Sequence, residues 1–272
     1  MKKNPLGKKI SIAKKYSPDL LFSIPRNTGR KENKIDDIIF HGFDVWNCYE
    51  LSWLDKDGKP ESRRLRIVYS SDSPNIVESK SLKIYLSSFI FKYFENEENV
   101  IFVIKKDLSK ILGTDDVKIS LYDFSKKIKY NKIKKNLWLD KAKVKIDEYK
   151  PNSKLIELED GNKKIIERYS NSLITNCPIT KQPDYATIYL KYKSNLFIND
   201  ASLLKYIASF REHYDFHESS CERIFMDIFN KLNPKILIVK CFYNRRGGIE
   251  INPVRFIGEK VSDKEFYHYW RQ

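Results

Sequence analysis

No apolar run in the 272-residue sequence is long enough to cross a bilayer, so no membrane-spanning role is expected. The start, MKKNPLGKKISIAKKY, is basic but leads into no apolar segment. It does not read as a secretory signal, and a soluble, cytoplasmic protein is expected. Cysteine is scarce: Cys48, Cys177, Cys221 and Cys241 show no CxxC spacing. Neither a disulfide framework nor a zinc site is expected from such a pattern. The four histidines, His41, His213, His217 and His268, form no HExxH, and only His213 and His217 share helical spacing. No GxGxxG follows a strand, which argues against a Rossmann domain; a bound dinucleotide would sit on another fold. There is no aromatic motif of the RRM type.

What is present is an ordinary globular composition, 41% hydrophobic, 14% aromatic and 32% charged, in a length that suits one or two domains. The formal net charge is +15. Such a charge invites a nucleic-acid reading. Its distribution favours a solvated surface: lysine far outnumbers arginine, and the densest run, Ser125–Lys145, alternates charge with apolar residues.

The chain is internally repeated. SLKIYLSSFIFKY (Ser81–Tyr93) and SLLKYIASFREHY (Ser202–Tyr214) share Ser, Leu, Tyr, Ser, Phe and Tyr at a constant offset. The apolar spacing predicts an amphipathic helix in each. A strand-like run precedes each helix, Arg63–Ser71 and Tyr185–Lys193, and a second helix follows, Val100–Leu112 and Ser220–Leu232. Lys235–Tyr243 and Ile249–Ile257 read as a hairpin around NRRGG; Val117–Phe124, with a weaker partner, closes the first copy. Residues 126–165 read as a lysine-rich connection with its own short strands and a turn at Asp160–Gly161. The expected division is an N-terminal extension (1–35), a first module (36–150) and a second module (151–272). Charged features differ between the copies: Glu78 and Lys80 stand before the first helix, His217 and Glu218 after the second, as one composite site would require.

The stretch NCPITKQPDY places Cys177 and Asp184 seven positions apart with prolines beside both. The prolines exclude a helix, so both residues are expected on a stiff, irregular loop. A thiolate is a good nucleophile once its proton is removed, and Asp184 is suited to move that proton. The plain alternative is a buried thiol and an aspartate capping a turn. Glu78 and Glu218 suit the N–H edge of a guanine-like base, or are surface glutamates. Phe216 suits stacking on a planar ring, and His217 suits donation to a substrate heteroatom or a structural hydrogen bond. Glu218 is expected just before a helix. Arg246 and Gly247 in the hairpin turn suit a phosphate, with Lys80 and Lys83 adding charge.

Six segments together resemble the 7-cyano-7-deazaguanine reductases, the QueF family, in its long two-module form. They are Leu6–Arg26, His41–Leu54, Glu78–Tyr85, Asn176–Ile188, Phe216–Phe225 and Arg245–Arg255. The resemblance implies an α+β fold: two tandem tunnel-fold (T-fold) modules, each an antiparallel sheet with two helices on one face. It implies NADPH-dependent reduction of the nitrile of 7-cyano-7-deazaguanine to the aminomethyl compound, used to build queuosine in tRNA. By the same resemblance Cys177 forms a covalent thioimide and Asp184 protonates the nitrile nitrogen. Val77, Glu78, Ser79, Phe216, His217 and Glu218 hold the deazapurine, while Ser79, Lys80, Arg246 and Gly247 hold NADPH. The substrate is a free base, so no nucleic acid is required, and a homodimer would complete the barrel. Glu250, where many relatives have Asp, and Tyr185, where others have Phe or Trp, touch no assigned role. Two rivals stand beside this reading: a tunnel-fold cyclohydrolase-type enzyme with a metal, and a non-catalytic RNA-binding protein.

Overall fold

The computed structural model describes residues 15–130, 132–161, 164–264, 268–269 and 271–272. The Leu6–Lys8 part of the N-terminal motif and most of Glu265–Trp270 lie outside them. In chain order the strands and α-helices are β1 (Ser23–Pro25), α1 (Arg26–Glu32), β2 (His41–Leu54), β3 (Pro60–Ser70), β4 (Asn75–Val77), α2 (Ser79–Ser87), α3 (Glu97–Leu112), β5 (Val117–Tyr122), β6 (Leu158–Asp160), β7 (Ile165–Asn176), β8 (Pro183–Lys193), β9 (Leu196–Ile198), α4 (Asp200–Ala208), α5 (His217–Leu232), β10 (Ile236–Tyr243) and β11 (Ile249–Ile257). The chain divides into two compact units that are not continuous in sequence. Residues 1–28, 44–128 and 245–251 form the first; 29–43, 129–244 and 252–272 form the second. The expected modules were continuous stretches; here the segment around α1 joins the second unit and the RRGG turn joins the first.

In the first unit β5, β3 and β2 are neighbours, and β3 pairs antiparallel with β5 from Arg64↔Tyr122 to Tyr69↔Val117. Alternate residues of these strands, such as Trp46 and Cys48 or Leu65, Ile67 and Tyr69, join one cluster with Leu82, Leu86, Val100, Ile104 and Leu108 of α2 and α3. Strand period two and helix period near four thus meet on one sheet face. α3 begins at an Asn96 side-chain cap and stops at Gly113, whose φ of 71° fits the left-handed C-terminal position. In the second unit the order is β11-β10-β8-β7, all antiparallel. Leu173, Ile188, Leu190, Leu237, Val239 and Cys241 pack with Leu203, Ile207, Ile224, Phe225 and Ile228 of α4 and α5.

The repeat survives in detail. Glu78 caps α2 and Asn199 caps α4 at equivalent places. Ser81 Oγ donates to the Glu78 carbonyl and Ser202 Oγ to that of Asn199, at 2.7 and 2.8 Å. Tyr85 and Tyr206 each donate to an aspartate on the following helix, Asp107 and Asp227, both at 2.7 Å. Phe89 and Phe210 are fully buried. Each unit also carries a two-stranded antiparallel pair, β1–β4 and β6–β9.

Three expectations change. The helices predicted to run to Tyr93 and Tyr214 end at Ser87 and Ala208, because the chain tightens there into turns that let Phe89 and Phe210 enter the core. The partner of β5 is β3, and among the described residues no strand lies between β5 and β6; Asp123 closes a turn there by accepting from the Ser125 amide. The connection through 126–165 holds short 3₁₀ turns at Lys135–Leu137, Leu139–Lys141 and Ser153–Leu155 and a single described strand, β6, before β7 begins. Before β6 its apolar residues reach the second core singly rather than as strands, Leu139 and Ile156 buried and Ala142, Val144 and Leu155 packed against that core.

Candidate active site

Cys177 opens the non-strand connection 177–182 of a hairpin, as expected, whereas Asp184 lies beyond it in a strand. Asn176 is the last residue of β7 and pairs with Pro183; Thr175 pairs with Asp184, which lies inside β8. The expectation of a loop for Asp184 is therefore corrected: Pro183 occupies the first position of a strand, where its missing N–H is tolerated. The connection is closed twice, by the Cys177 amide to the Gln182 carbonyl at 2.9 Å and the Lys181 amide to the Cys177 carbonyl at 3.0 Å. Lys181 sits at φ 59°, within the left-handed region. The result aims the Thr180 N–H at Cys177 Sγ, 3.4 Å away. Cys177 is half-buried, whereas Cys48, Cys221 and Cys241 are buried among apolar side chains as small hydrophobes.

Asp184 is buried and its Oδ2 lies 3.3 Å from His217 Nε2. The His217 ring stacks on Tyr243 with centroids 3.7 Å apart and planes 7° from parallel. Tyr243 in turn accepts from Thr175 Oγ1 at 3.4 Å, and burial holds its phenol well above the ordinary range. Phe216 is the N-cap of α5, and His217 and Glu218 form its first turn. Glu218 thus lies inside the helix, not before it as expected, and is buried. A carboxylate in a first turn is favoured by the helix dipole.

The residue before Phe216 was missed in the sequence. Asp215 Oδ1 accepts from the Phe216 amide at 2.7 Å and Oδ2 from Asn33 Nδ2 at 2.6 Å. Burial nevertheless raises its pKa to about 6, against those hydrogen bonds. Nearby His213 is pushed down to about 4 by burial and by the Arg223 charge. Its Nε2 is 3.7 Å from Asp215 Oδ2, too long for a hydrogen bond. His213 favours the folded state above its free value of 6.5, and this is lost as pH falls through about 4. Asp215 favours it below 3.8, and this is lost as pH rises through about 6. Between about pH 4 and 6 the two slopes oppose each other. His213→Gln removes one of them. Urea titrations should show the variant losing stability relative to the parent as pH rises from 4 to 6, by on the order of 3 kcal/mol. A constant difference across that window would count against the pair.

The other expected site residues lie in the first unit. Val77 ends β4, and Glu78 caps α2: Oε1 accepts from the Lys80 amide and Oε2 from the Ser81 amide, both at 2.8 Å. Burial still raises the Glu78 pKa. Ser79 is exposed and Lys80 half-buried. The RRGG turn is a two-residue hairpin closed between Arg246 and Ile249, with Gly247 at φ 57° and Gly248 at φ 79°. Positive φ at both central positions is what a type I′ turn needs. A Cβ on Gly248 would stand 2.5 Å from the Glu50 carboxyl carbon. Arg245 is used structurally, 3.4 Å above the Tyr49 ring and bonded to Glu250, while Arg246 is exposed beside the glycines. Lys83 reaches this turn and pairs with Glu50 at 3.2 Å. An exposed guanidinium, a lysine and side-chain-free backbone suit an anionic, phosphate-bearing group. Glu250, read as touching no role, is fully buried and accepts from Asn47 as well as Arg245.

A thiol held at a hairpin end beneath a backbone donor, with a buried carboxylate on the next strand paired to an imidazole, suits an enzyme that uses a cysteine nucleophile. Residues 12–121 match the family described as "Nitrile reductase, 7-cyano-7-deazaguanine-reductase N-term", and residues 183–262 match the "QueF-like protein" family. A protein named NADPH-dependent 7-cyano-7-deazaguanine reductase from Desulfotalea psychrophila is 41% identical over 255 residues, covering 92% of this chain and 91% of that one. Proteins of the same name from Bordetella pertussis and Burkholderia orbicola are 38% and 41% identical, covering 92% and 93% of this chain and 92% of each of theirs. The chain belongs to the NADPH-dependent 7-cyano-7-deazaguanine reductase family.

Proposed function

We propose that the protein reduces the nitrile of 7-cyano-7-deazaguanine to 7-aminomethyl-7-deazaguanine at the expense of two NADPH, in queuosine biosynthesis. The observation that carries the reading is the hairpin that sets Cys177 under the Thr180 amide and Asp184 against His217. Asp184 takes the Cys177 proton, Sγ adds to the nitrile carbon, and Asp184 returns that proton to the nitrogen, giving a thioimide. This turns a poor hydride acceptor into an imine-like one and holds it in place. NADPH held by Ser79, Lys80, Arg246 and Gly247 would supply the two hydrides in turn, and Cys177 would leave as the thiolate between them. Four electrons and four protons are gained in all.

Glu78 and Glu218 read the base edge, Phe216 stacks on the ring, His217 stands beside the reacting group, and Val77 and Ser79 lend backbone contacts. Ser79, Lys80, Arg246 and Gly247 hold the cofactor; an arginine there favours the extra phosphate of NADPH over NADH. The modules 36–150 and 151–272 are duplicates, a reading supported by the matching cap, Tyr–Asp and Ser contacts of α2 and α4. The substrate is the free base, so no nucleic acid takes part. The enzyme works in the cytoplasm as a homodimer.

Stopped assays with the free base should consume two NADPH per amine formed. A ratio of one, or a product still bearing an imine, would contradict the mechanism. NADPH left unconsumed would reject the activity.

A further inference from the structure

Asn176, immediately before Cys177, spends three polar groups on one segment. Its amide donates to the His213 carbonyl at 2.8 Å, and its carbonyl accepts from the Asp215 amide at 3.1 Å. Its side-chain Nδ2 donates to the Arg211 carbonyl at 2.5 Å, with a second approach to the His213 carbonyl at 3.4 Å. The residue is buried, and its link to Tyr214 is an isolated parallel bridge outside the sheet ladder. Downstream of this segment, after Phe216, α5 opens with His217 and Glu218. The opposite side of the same strand end is tied as well, because Thr175 donates to Tyr243, on which His217 stacks.

A turn residue such as Cys177 owes its position to what holds the chain on either side of it. On the far side, the turn is closed by its own hydrogen bonds. On the near side it is held by the β7–β8 pairing and by the contacts of Asn176 to the 211–215 segment. A short polar side chain at the end of a strand ordinarily faces solvent or caps its own turn. This one reaches across to a backbone carbonyl several residues before the helix that carries His217 and Glu218.

Resting on the activity proposed above, we infer that Asn176 is a positioning residue: its Nδ2–H···O=C bond to residue 211 registers the nucleophile against the start of α5. The bond touches neither substrate nor sulfur. It fixes how far Sγ stands from the carbon it must reach once the base is seated. Small misplacements of a reacting atom are costly, about 10²-fold for 1 Å.

The test uses the full chain, the nitrile base and no NADPH, with intact mass following the adduct over a range of base concentrations. Asn176→Ala and Asn176→Asp both remove the donor, and Asn176→Ser keeps a shorter one. The expected result is a fall of about 10²-fold in the saturating rate of adduct formation for the first two. The half-saturating concentration and the rate of alkylation of Cys177 by iodoacetamide stay near the parent values. Asn176→Ser recovers part of the rate. A merely structural role would change the iodoacetamide rate, raise the half-saturating concentration and lower the thermal midpoint together, and that outcome overturns the inference. So does a saturating rate equal to the parent's in a folded Asn176→Ala. If Asn176→Ala does not fold, Asn176→Ser decides by the same two rates. A parent that forms no adduct removes the proposed activity and this inference with it; a parent that does, beside an unchanged variant, removes the inference alone.

Discussion

Cys177→Ala should form no adduct with the nitrile and should lose at least about 10⁴-fold in turnover, with little change in stability. The size follows from what the sulfur does in the proposed chemistry. Without it no thioimide forms, and the hydride must be accepted by an unactivated nitrile. Removing a covalent nucleophile generally costs at least this much, because the remaining groups then act on a reaction they were not built for. The small stability effect follows from the half-buried setting of Cys177 and the one bond to its sulfur, from the Thr180 amide at 3.4 Å. Substitutions in such places usually fall within about 0.5 kcal/mol. Intact mass and NADPH absorbance measure the first part, and a urea titration the second. Retention of the adduct in Cys177→Ala would move the nucleophile elsewhere. Loss of the fold would show that the thiol is a packing residue after all.

Glu222→Ala should cost about 3–5 kcal/mol of folding stability. Glu222 lies on α5 one turn beyond Glu218 and is 2% exposed. Its Oε2 accepts from Arg30 Nε at 2.8 Å. Its Oε1 accepts from Arg30 at 3.0 Å and from Arg255 Nε and NH2 at 3.1 and 2.9 Å. Arg255 is fully buried and Arg30 6% exposed, and both guanidinium groups lie over the Phe40 ring, at 5.7 and 5.8 Å. Deleting the carboxylate leaves two cations in a setting that water does not reach, which is far worse than never having built the cluster. A loss of that size is a large fraction of the stability of an ordinary domain. Urea midpoints of the parent and the variant give the number. A variant within about 0.5 kcal/mol of the parent would mean that the arginines find other acceptors or solvent. Glu222→Gln, which keeps the shape and two acceptor lone pairs, should cost less.

The helices of the two copies were legible because Ser81, Leu82 and Tyr85 and their counterparts Ser202, Leu203 and Tyr206 repeat at helical spacing and are buried, whereas the last shared Tyr, Tyr93 and Tyr214, is exposed. Their ends were not legible. Whether the chain continues as helix past Ser87 or Ala208 depends on where Phe89 and Phe210 find a cavity, which is a property of the core and not of the local pattern. Asp184 was recognisable as chemistry but misplaced. Proline argues against helix with equal force whether it opens a loop or a strand, and only the pairing of Asn176 with Pro183 distinguishes the two. Asp215 stood next to the Phe-His-Glu motif, yet an aspartate before a helix reads as an ordinary cap. Its second partner, Asn33, lies 182 positions away. Tyr243 and Glu222 carry no local signal at all: one is an alternating strand residue, the other a helix glutamate.

Residue type and short spacing were enough to mark the repeated helices, Cys177 and Asp184 as candidates for chemistry, and the glycines of the RRGG turn. Each depends on residue type and short spacing: a thiol between prolines, or two adjacent residues that must adopt positive φ. Which strand end carries Cys177, which ring His217 rests on and how α5 is held follow from the folded chain alone. Those are set by contacts between segments far apart in the chain, such as Arg30 with Glu222 or Asn176 with the 211–215 segment. Burial fixes them, because a buried polar group must find a partner wherever the fold brings one within reach.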